Sequence, residues 1–409
     1  MTGLLDRVEP EDVGLHGGRL ARLDHYLRAR VDSGRMPGYL VAVARRGRLA
    51  HLGRYGARDL ERRLPVEVDT VFRIYSMTKP ITSVAAMMLS EEGCFGLDDA
   101  VGDHLPAFRE QRVYVGGNDA GPVSVPAPGP VRIRHLMTHT SGLTYGFHRV
   151  HPVDARYRAA GFGLGLPPDT TLAQACDVLA AQPLLFAPGT EWNYSLGTDV
   201  LGRLVEVVSG QSLPDFLAER ILGPLAMRDT GFQVPADHLD RLARLYVAGP
   251  DGPVPDDTLG AQVHAPPSAP SGGGGLVSTV ADYLRFAEML RRGGELDGVR
   301  LLGPRTVAHM TANHLPGGAD LAAFGRPLYA ETPFHGVGFG LGVAVVLDPV
   351  RYGAPTSVGE FGWGGAASTV FWADPREDLT VVLLTQLMPP PALPIRPTLR
   401  QLVHQAIVD

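Results

Sequence analysis

The sequence predicts an α+β fold whose β-structure comes from both ends of the chain. Near the amino terminus, the segment from Tyr39 to Gly56 reads as two β-runs joined by a turn at Arg46-Gly47, which is typical of a β-hairpin. The carboxyl-terminal part contains three further β-rich runs: GFGLGVAVVLD, GEFGWGGAASTVFWADP and DLTVVLLTQL. These runs predict one mixed sheet assembled from the two termini.

The middle of the chain has a different character. Residues 97–265 show helical patterns and loops, with few convincing strands. We therefore expect residues 1–96 and 266–409 to form an α/β domain. Residues 97–265 are expected to form a mostly helical inserted domain, with the active site in the cleft between the two.

The most apolar helix is predicted from Thr78 to Glu92. Its residues are apolar nearly all round, so we expect it to be buried; Pro80 fits only its first turn, and Gly93 ends it. Ser76 therefore lies at or just before a helix start. Further helices are predicted near residues 134–139, 171–182, 197–209, 279–292 and 397–409.

Composition describes an ordinary soluble protein. The 409 residues are 44% hydrophobic and 20% charged, with a formal net charge of −6, which provides no basic field for nucleic acid. The first residues carry charges where a signal peptide needs an apolar core, and no run is long enough to span a membrane, so we expect a cytoplasmic protein. The two cysteines, Cys94 and Cys176, are expected to be buried small hydrophobes.

One basic residue stands apart from all the others. Lys79, in the stretch IYSMTKP, is the only lysine, and every other of the 37 basic residues is arginine. Ser76 lies three residues earlier, a spacing that places both side chains on one helix face. A buried amine can lose its proton, whereas a guanidinium does not. The alternatives are a lysine retained by chance and a serine that merely caps the helix.

Five segments, taken in chain order, resemble the serine β-lactamase and penicillin-binding-protein superfamily. The S-x-x-K pair at Ser76 and Lys79 is its first motif. The others are HLMTHTSGL at 135–143, PGTEWNYS at 188–195, GGGGLVSTVADYLRF at 272–286 and FGWGGA at 361–366. The resemblance implies a class C β-lactamase-like fold, a mixed antiparallel sheet flanked by helices.

Two departures from the penicillin-recognising pattern narrow the resemblance. Tyr194 is followed by Ser195 and Leu196, so the asparagine of the second motif is missing. The third motif, K-T-G, is replaced by Trp363-Gly364-Gly365. Tyr-Ser and Trp-Gly-Gly are similar to the family VIII carboxylesterases, and fungal statin-type acyltransferases look similar too.

The resemblance implies a role for each matching residue. Ser76 would be the nucleophile, Lys79 its base, and Tyr194 the phenol that shuttles protons and shares one with Lys79. The backbone amides of Ser76 and Ala366 would form the oxyanion hole, each worth about 3 kcal/mol in the transition state. Trp363, Gly364 and Gly365 would bind substrate; alternatively, Trp363 and Tyr194 are ordinary packed aromatics.

Weaker signals surround these motifs. Tyr145, Phe147 and His148 are predicted either to line the mouth of the cleft or to be loop residues without substrate contact. His135 and His139, four residues apart, could suggest a metal pair, but no third ligand is evident and the resemblance makes this segment a structural turn. Gly272 to Gly275 predicts a hinge or a close backbone approach.

The sequence thus predicts a serine esterase that cleaves small-molecule carboxylic esters through an acyl-enzyme. It requires no cofactor and no metal, and it is expected to be a monomer or a small homo-oligomer without nucleic-acid or membrane partners. Three alternatives remain: a β-lactamase or D-aminopeptidase, an acyltransferase that uses the same acyl-enzyme, and a non-catalytic binding module.

Overall fold

An eight-stranded antiparallel sheet built from both ends of the chain forms the centre of the computed structural model, which describes residues 4, 6–118, 121–326 and 334–409. Its strand order is β12-β13-β14-β15-β16-β1-β2-β3. The strands are β1 Gly38–Arg45, β2 Arg48–Asp59, β3 Leu64–Pro65, β4 Phe72–Arg73, β5 Arg112–Gly117, β6 Pro122–Pro126, β7 Tyr246–Gly249, β8 Gly252–Pro255, β9 Val277–Ser278, β10 Glu295–Leu296, β11 Val299–Arg300, β12 Val337–Phe339, β13 Ala344–Val346, β14 Phe361–Gly364, β15 Val370–Asp374, β16 Leu379–Leu384 and β17 Leu387–Met388. The sheet confirms the predicted α+β class.

Helices cover both faces of this sheet. The α-helices are α1 Gly17–Asp32, α2 Thr78–Glu91, α3 Val101–His104, α4 Ile133–Met137, α5 Pro152–Ala159, α6 Leu172–Ala180, α7 Gly197–Ser209, α8 Leu213–Leu217, α9 Asp257–Gly260, α10 Val280–Arg291, α11 Pro304–Met310, α12 Leu321–Phe324, α13 Pro349–Tyr352 and α14 Arg396–His404. Apolar residues of α1 and α14 share one core cluster with Val41 and Val43 of β1. Leu40 and Ala42, which point to the other face, join the cluster that contains α2 and α10. Because both faces are covered, β1 is buried along its whole length.

The amino-terminal hairpin forms as predicted. β1 and β2 pair antiparallel and are joined by Arg46 and Gly47, whose φ angles are 54° and 70°. Two consecutive residues with positive φ are the signature of a tight hairpin turn whose twist matches the strands. The turn chemistry in the sequence therefore located this connection correctly.

The carboxyl-terminal β-runs contain more strands than the sequence suggested. The run 338–348 falls on the hairpin of β12 and β13, and the run 359–375 divides into β14 and β15. Gly342, with φ of 94°, breaks the first run, and Ser368, with φ of 63°, lies in the turn that breaks the second. Both turns lie inside apolar stretches, so the hydrophobic pattern alone did not mark them.

The expectation of few strands in residues 97–265 is also wrong. Two antiparallel hairpins lie there, β5 with β6 and β7 with β8. The strands of the second hairpin have four residues each, and β17 pairs parallel with β7, so part of this hairpin's stability comes from a distant segment. The division into two domains at residues 97 and 265 stays a prediction.

Helix α2 is buried as its composition predicted. Every residue from Thr78 to Leu89 is buried, and Gly93, with φ of 77°, follows the helix end. Cys176 is buried as expected, but Cys94 is exposed, because the chain is exposed from Glu91 to Cys94 after the buried part of α2 ends. In the described ranges, no helix combines the length and the apolar character that a membrane crossing requires.

Candidate active site

Ser76 lies where the sequence predicted, at the entrance to α2. Tyr75–Met77 form a single 3-10 turn that continues directly into α2. Tyr75 has a φ of 44°, a left-handed conformation that is costly for a bulky side chain and is found most often at functional sites. This turn exposes Ser76 to the cavity. The positive end of the α2 dipole points towards the space around Ser76.

The amine of Lys79 joins three groups at the base of the cavity. Its Nζ donates to Ser76 Oγ at 3.3 Å, to the Tyr145 hydroxyl at 3.0 Å and to the Gly273 carbonyl at 2.7 Å. The residue is 1% exposed. The predicted Ser76–Lys79 pair is therefore present, with Lys79 buried beneath a Ser76 that is partly exposed to the cavity.

Two tyrosines meet the amine of Lys79, and they do so in different ways. Tyr194 meets the amine of Lys79 with its ring face, 4.6 Å from Nζ to the ring centre, and its hydroxyl accepts from Trp363 Nε1 at 3.3 Å. The hydroxyl that bonds Lys79 belongs to Tyr145. Burial raises the pKa of Tyr145 well above its ordinary value, with smaller contributions from Tyr194 and Asp199, so this phenol stays neutral.

Aromatic side chains next to Tyr145 and Tyr194 form one wall of the cavity. Tyr145 stacks on Phe147 at 4.6 Å between ring centres and lies 5.3 Å from Tyr194, which is 5.5 Å from Trp363. Tyr145, Phe147, Tyr194 and Trp363 line the cavity. His148 has a supporting position instead, because its Nε2 lies 2.8 Å from the Tyr194 carbonyl and burial, the largest influence, lowers its pKa.

The turn after β14 packs directly against the segment that carries Ser76. A Cβ atom added to Gly365 would lie 2.3 Å from the carbonyl oxygen of Ile74, so only glycine fits there. The Gly365 amide donates to the Thr369 carbonyl at 2.9 Å and closes the turn. Ala366 and Ser76 both line the cavity, and the oxyanion hole expected from their amides stays a prediction.

Asp199, in the first turn of α7, was not among the predicted site residues. Its Oδ1 accepts from the Gly273 amide at 3.1 Å and from the Ser271 hydroxyl, and the Gly273 carbonyl in turn accepts from Lys79. Burial raises the pKa of Asp199, and the charge of Lys79 opposes that rise. An acidic residue among apolar neighbours five positions after Tyr194 is the signal that could have identified it.

The glycine run at 272–275 makes close backbone approaches, one of the two expected uses. A Cβ atom on Gly272 would lie 2.8 Å from the Thr198 carbonyl, and one on Gly273 would lie 2.5 Å from an Asp199 carboxylate oxygen. The absence of side chains thus lets this strap pass between α2 and α7. That path places the Gly273 carbonyl on Lys79.

His139 supports the site rather than pairing with His135. Its Nδ1 lies 3.1 Å from Ser195 Oγ, and its ring edge contacts Tyr194 at 4.7 Å between centres. His135 accepts from the Arg132 amide at 3.1 Å, and burial, with help from Arg132 and Arg134, lowers its pKa to about 4. The two imidazoles serve local structure in the described residues.

A large cavity opens above these groups. It has a volume of about 1130 Å³, and its walls come from both the terminal and the middle parts of the chain. The apolar wall residues include Leu164, Leu166, Phe232, Leu276 and Val345. A serine and a buried amine at the base of a mostly apolar cleft can attack a carbonyl group of an organic molecule that the cleft holds.

The fold and the site together define a serine hydrolase of the β-lactamase-like class. The chain itself belongs to the Beta-lactamase family, whose model matches residues 23–405. This match confirms the resemblance and the fold expected from the sequence motifs.

The proteins similar to this chain include an esterase and a hydrolase of known structure. An uncharacterized protein of Mycobacterium tuberculosis is 39% identical over 365 residues, covering 88% of each chain. Esterase EstB of Burkholderia gladioli is 34% identical over 397 residues, covering 92% of this chain and 93% of the esterase. The solved structure of EstCE1, described as a hydrolase with promiscuous acyltransferase activity, has a TM-score of 0.79 at 31% identity and covers 95% of this chain and 99% of that one.

Proposed function

We propose that this protein is a serine esterase that hydrolyses small-molecule carboxylic esters through an acyl-enzyme on Ser76. The observation that carries the proposal is the only lysine of the chain, buried at the base of the cavity with Nζ 3.3 Å from Ser76 Oγ. A hydrogen bond between a hydroxyl and a desolvated amine is the arrangement that activates a serine without histidine. The esterase EstB, which is similar along nearly the whole chain, supports the choice of ester substrates.

In the first half-reaction, Lys79 in its uncharged form takes the proton of Ser76, and the alkoxide attacks the ester carbonyl carbon. The amides of Ser76 and Ala366 hold the oxyanion. When the bond between the carbonyl carbon and the alkoxy oxygen breaks, the leaving alcohol receives a proton from the Lys79 and tyrosine network. In the second half-reaction, water gives a proton to the same network and attacks the acyl carbon. The bond between that carbon and Ser76 Oγ then breaks, Oγ takes a proton back from the network, and the carboxylic acid leaves.

The two tyrosines fit distinct parts of this proton transfer. Tyr145 is hydrogen-bonded to Lys79 in the resting structure, so it is placed to keep the amine aligned. Tyr194, held by Trp363, presents its hydroxyl at the cavity wall, where a leaving alcohol or an incoming water would lie. We assign the shuttle role to Tyr194 and the alignment of Lys79 to Tyr145.

The cavity wall favours esters over β-lactams. Leu196 lines the cavity at the position where the penicillin-recognising motif has an asparagine, so no side-chain amide meets the substrate there. Trp363 and two glycines occupy the place of K-T-G, and the chain has no second lysine. An amide carbonyl and a carboxylate of a β-lactam would lose polar partners that a simple ester does not need.

An acyltransferase remains the second candidate function. It would pass the acyl group from Ser76 to an alcohol or amine instead of water. The volume of about 1130 Å³ leaves room for an acceptor beside the acyl group. The printed description of EstCE1 joins both activities in one protein.

A substrate comparison tests the proposal. Wild type, Ser76→Ala and the matched control Ser90→Ala, a serine near the other end of α2, are assayed with p-nitrophenyl esters and a chromogenic cephalosporin, with and without added alcohol. We expect ester hydrolysis in wild type and Ser90→Ala but not in Ser76→Ala. Efficient cephalosporin turnover without ester hydrolysis would overturn the proposal, and a dominant transfer product would favour the acyltransferase.

A further inference from the structure

A second group of residues that could bind a ligand lies on elements other than α2, although one member, Glu360, also lines the cavity. Glu360 precedes β14, Asp374 ends β15 and His404 ends α14, and their side chains are 1%, 0% and 6% exposed. One donor atom from each lies within 4.8 Å of the other two. The proposed ester chemistry makes no use of this cluster.

The tautomer of His404 is set by its surroundings. Its Nδ1 lies 3.0 Å from the Arg400 carbonyl oxygen, so Nδ1 carries a hydrogen and donates it. Nε2 then faces Glu360 Oε2 at 3.5 Å and Asp374 Oδ2 at 3.6 Å. Three atoms that all carry lone pairs repel one another unless a cation lies between them.

The spacing of these atoms is longer than direct hydrogen bonds require. An N–H···O bond spans about 2.7–3.2 Å between heavy atoms. Neither Nε2 of His404 nor Oδ2 of Asp374 has a hydrogen-bond partner among the described residues. Ligands about 2.1 Å from a tetrahedral metal lie about 3.4 Å apart, close to the two distances observed.

Hydrogen bonds from neighbouring groups orient the two carboxylates, as is usual for carboxylates that bind a metal ion. Glu360 Oε1 accepts from Arg400 Nε at 2.8 Å, and Oε2 accepts from the Thr356 hydroxyl. Asp374 Oδ1 accepts from the amides of Arg376 at 2.9 Å and Glu377 at 3.3 Å. The oxygen that remains on Asp374 is the one directed at His404.

We propose that Glu360, Asp374 and His404 bind one divalent transition metal ion in an open site with three protein ligands. One imidazole and two carboxylates suit Zn²⁺, with water in the fourth position. The ion would connect α14 to β14 and β15, the two strands on either side of the turn after β14. Its role would therefore be structural. The sequence patterns predicted no metal, because the three ligands come from three separate elements.

The alternative to a metal ion between these three side chains is a proton on His404. Burial opposes charge on this imidazole, but the Asp374 carboxylate, 3.6 Å away, and the nearby Glu360 outweigh burial and raise its pKa. The neighbouring Arg400 guanidinium partly neutralises Glu360. It therefore weakens the attraction of Glu360 both for protonated His404 and for a metal ion. A metal must therefore displace the proton, and this displacement is measurable.

The test uses the full chain, freed of bound metal with a chelator and then titrated with Zn²⁺ by calorimetry at neutral pH in two buffers of different ionisation enthalpy. We expect one ion per chain, release of a proton on binding, and a higher midpoint of thermal unfolding. Co²⁺ in place of Zn²⁺ is expected to give the visible absorption of a tetrahedral site. His404→Gln and Asp374→Asn are each expected to lower the affinity at least tenfold.

His309→Gln is the matched control. Its exposed imidazole lies 4.6 Å from the ring of His314, the most obvious surface alternative, and its loss is expected to leave stoichiometry and affinity unchanged. The proposal is overturned if wild type and His404→Gln bind Zn²⁺ equally, or if wild type binds none and the site holds only a proton. These results do not depend on ester turnover, so they stand apart from the proposed activity.

Discussion

At the scale of single residues, the lone lysine is informative because its position demands a chemistry that arginine lacks. Lys79 is buried and bonded to Ser76, Tyr145 and Gly273. Arginine would preserve the positive charge but would hold its proton permanently. The spacing and the resemblance to the S-x-x-K motif together predicted this pair, and the structure brings its atoms together.

We expect Lys79→Arg to lower kcat for esters by about 10²-fold to 10⁴-fold, the usual contribution of a general base. Steady-state kinetics measure the change. Lys79→Met, which has similar length without charge, serves as the second variant, and circular dichroism checks that both fold. Near-normal ester turnover by folded Lys79→Arg would show that Lys79 is not the base.

Asp199 acts through Gly273 and so is assigned a positioning role. Asp199→Asn preserves the shape of the side chain. It weakens the hydrogen bonds that hold the glycine run at 272–275 against Lys79. We expect kcat to fall by about tenfold to a hundredfold, the range that a small misplacement costs, while KM changes little. A proportional rise in KM with unchanged kcat would contradict this assignment.

The same variant has a predicted pH signature. The folded-state pKa of Asp199 is raised by burial, so the stability linked to this group is complete below the ordinary Asp pKa and is lost as pH rises through the raised value. Asparagine does not titrate. The melting temperature of Asp199→Asn relative to wild type should therefore rise between about pH 4 and neutral pH, which thermal unfolding at several pH values measures.

Residue-scale sequence reasoning failed where a role depends on contacts from elsewhere in the fold. Tyr145 was predicted as a residue of the cleft mouth, yet it is the phenol that hydrogen-bonds Lys79. Asp199 was missed, and His148 lies behind Tyr194 rather than at the mouth. Sixty-six residues separate Lys79 from Tyr145, so no local pattern reports their contact.

At the scale of elements, the turn after β14 is the point where two distant segments meet. We expect Gly365→Ala to lower ester kcat and to destabilise the fold by about 1–3 kcal/mol, because its Cβ would collide with the Ile74 carbonyl and displace the turn from Ser76. Gly116→Ala is the control, since nothing lies within 4 Å of a Cβ there. Denaturant unfolding and kinetics measure both variants, and equal behaviour of the two would refute the collision.

Several of the predicted helices were located closely for a physical reason, although α1, the longest described helix, was not predicted. α7 runs from Gly197 to Ser209, as predicted, and α10 is capped by Thr279, where its predicted range begins. A helix closes its hydrogen bonds locally, so caps and periodicity define it. Strands such as β7 depend on partners as distant as β17, and the sequence does not state those pairings.

At the scale of the whole molecule, the site exists only because separate parts of the chain converge. Ser76 and Lys79 come from the amino-terminal part, Tyr145 and Tyr194 from the middle, and the Trp363–Ala366 turn from the carboxyl-terminal part. Family motifs located most of these residues in the sequence. The shape and volume of the cavity, and the Glu360–Asp374–His404 cluster, follow from packing that sequence patterns do not encode.

The central claim is that an acyl group is carried by Ser76, and its most direct test is capture of that intermediate. Wild type is mixed with an activated ester of a slowly hydrolysed acid, quenched in acid, digested and analysed by peptide mass spectrometry. The account predicts a mass increase equal to the acyl group on the peptide that contains Ser76, and none in Ser76→Ala. An acyl adduct on another residue, with ester turnover retained in Ser76→Ala, would contradict it.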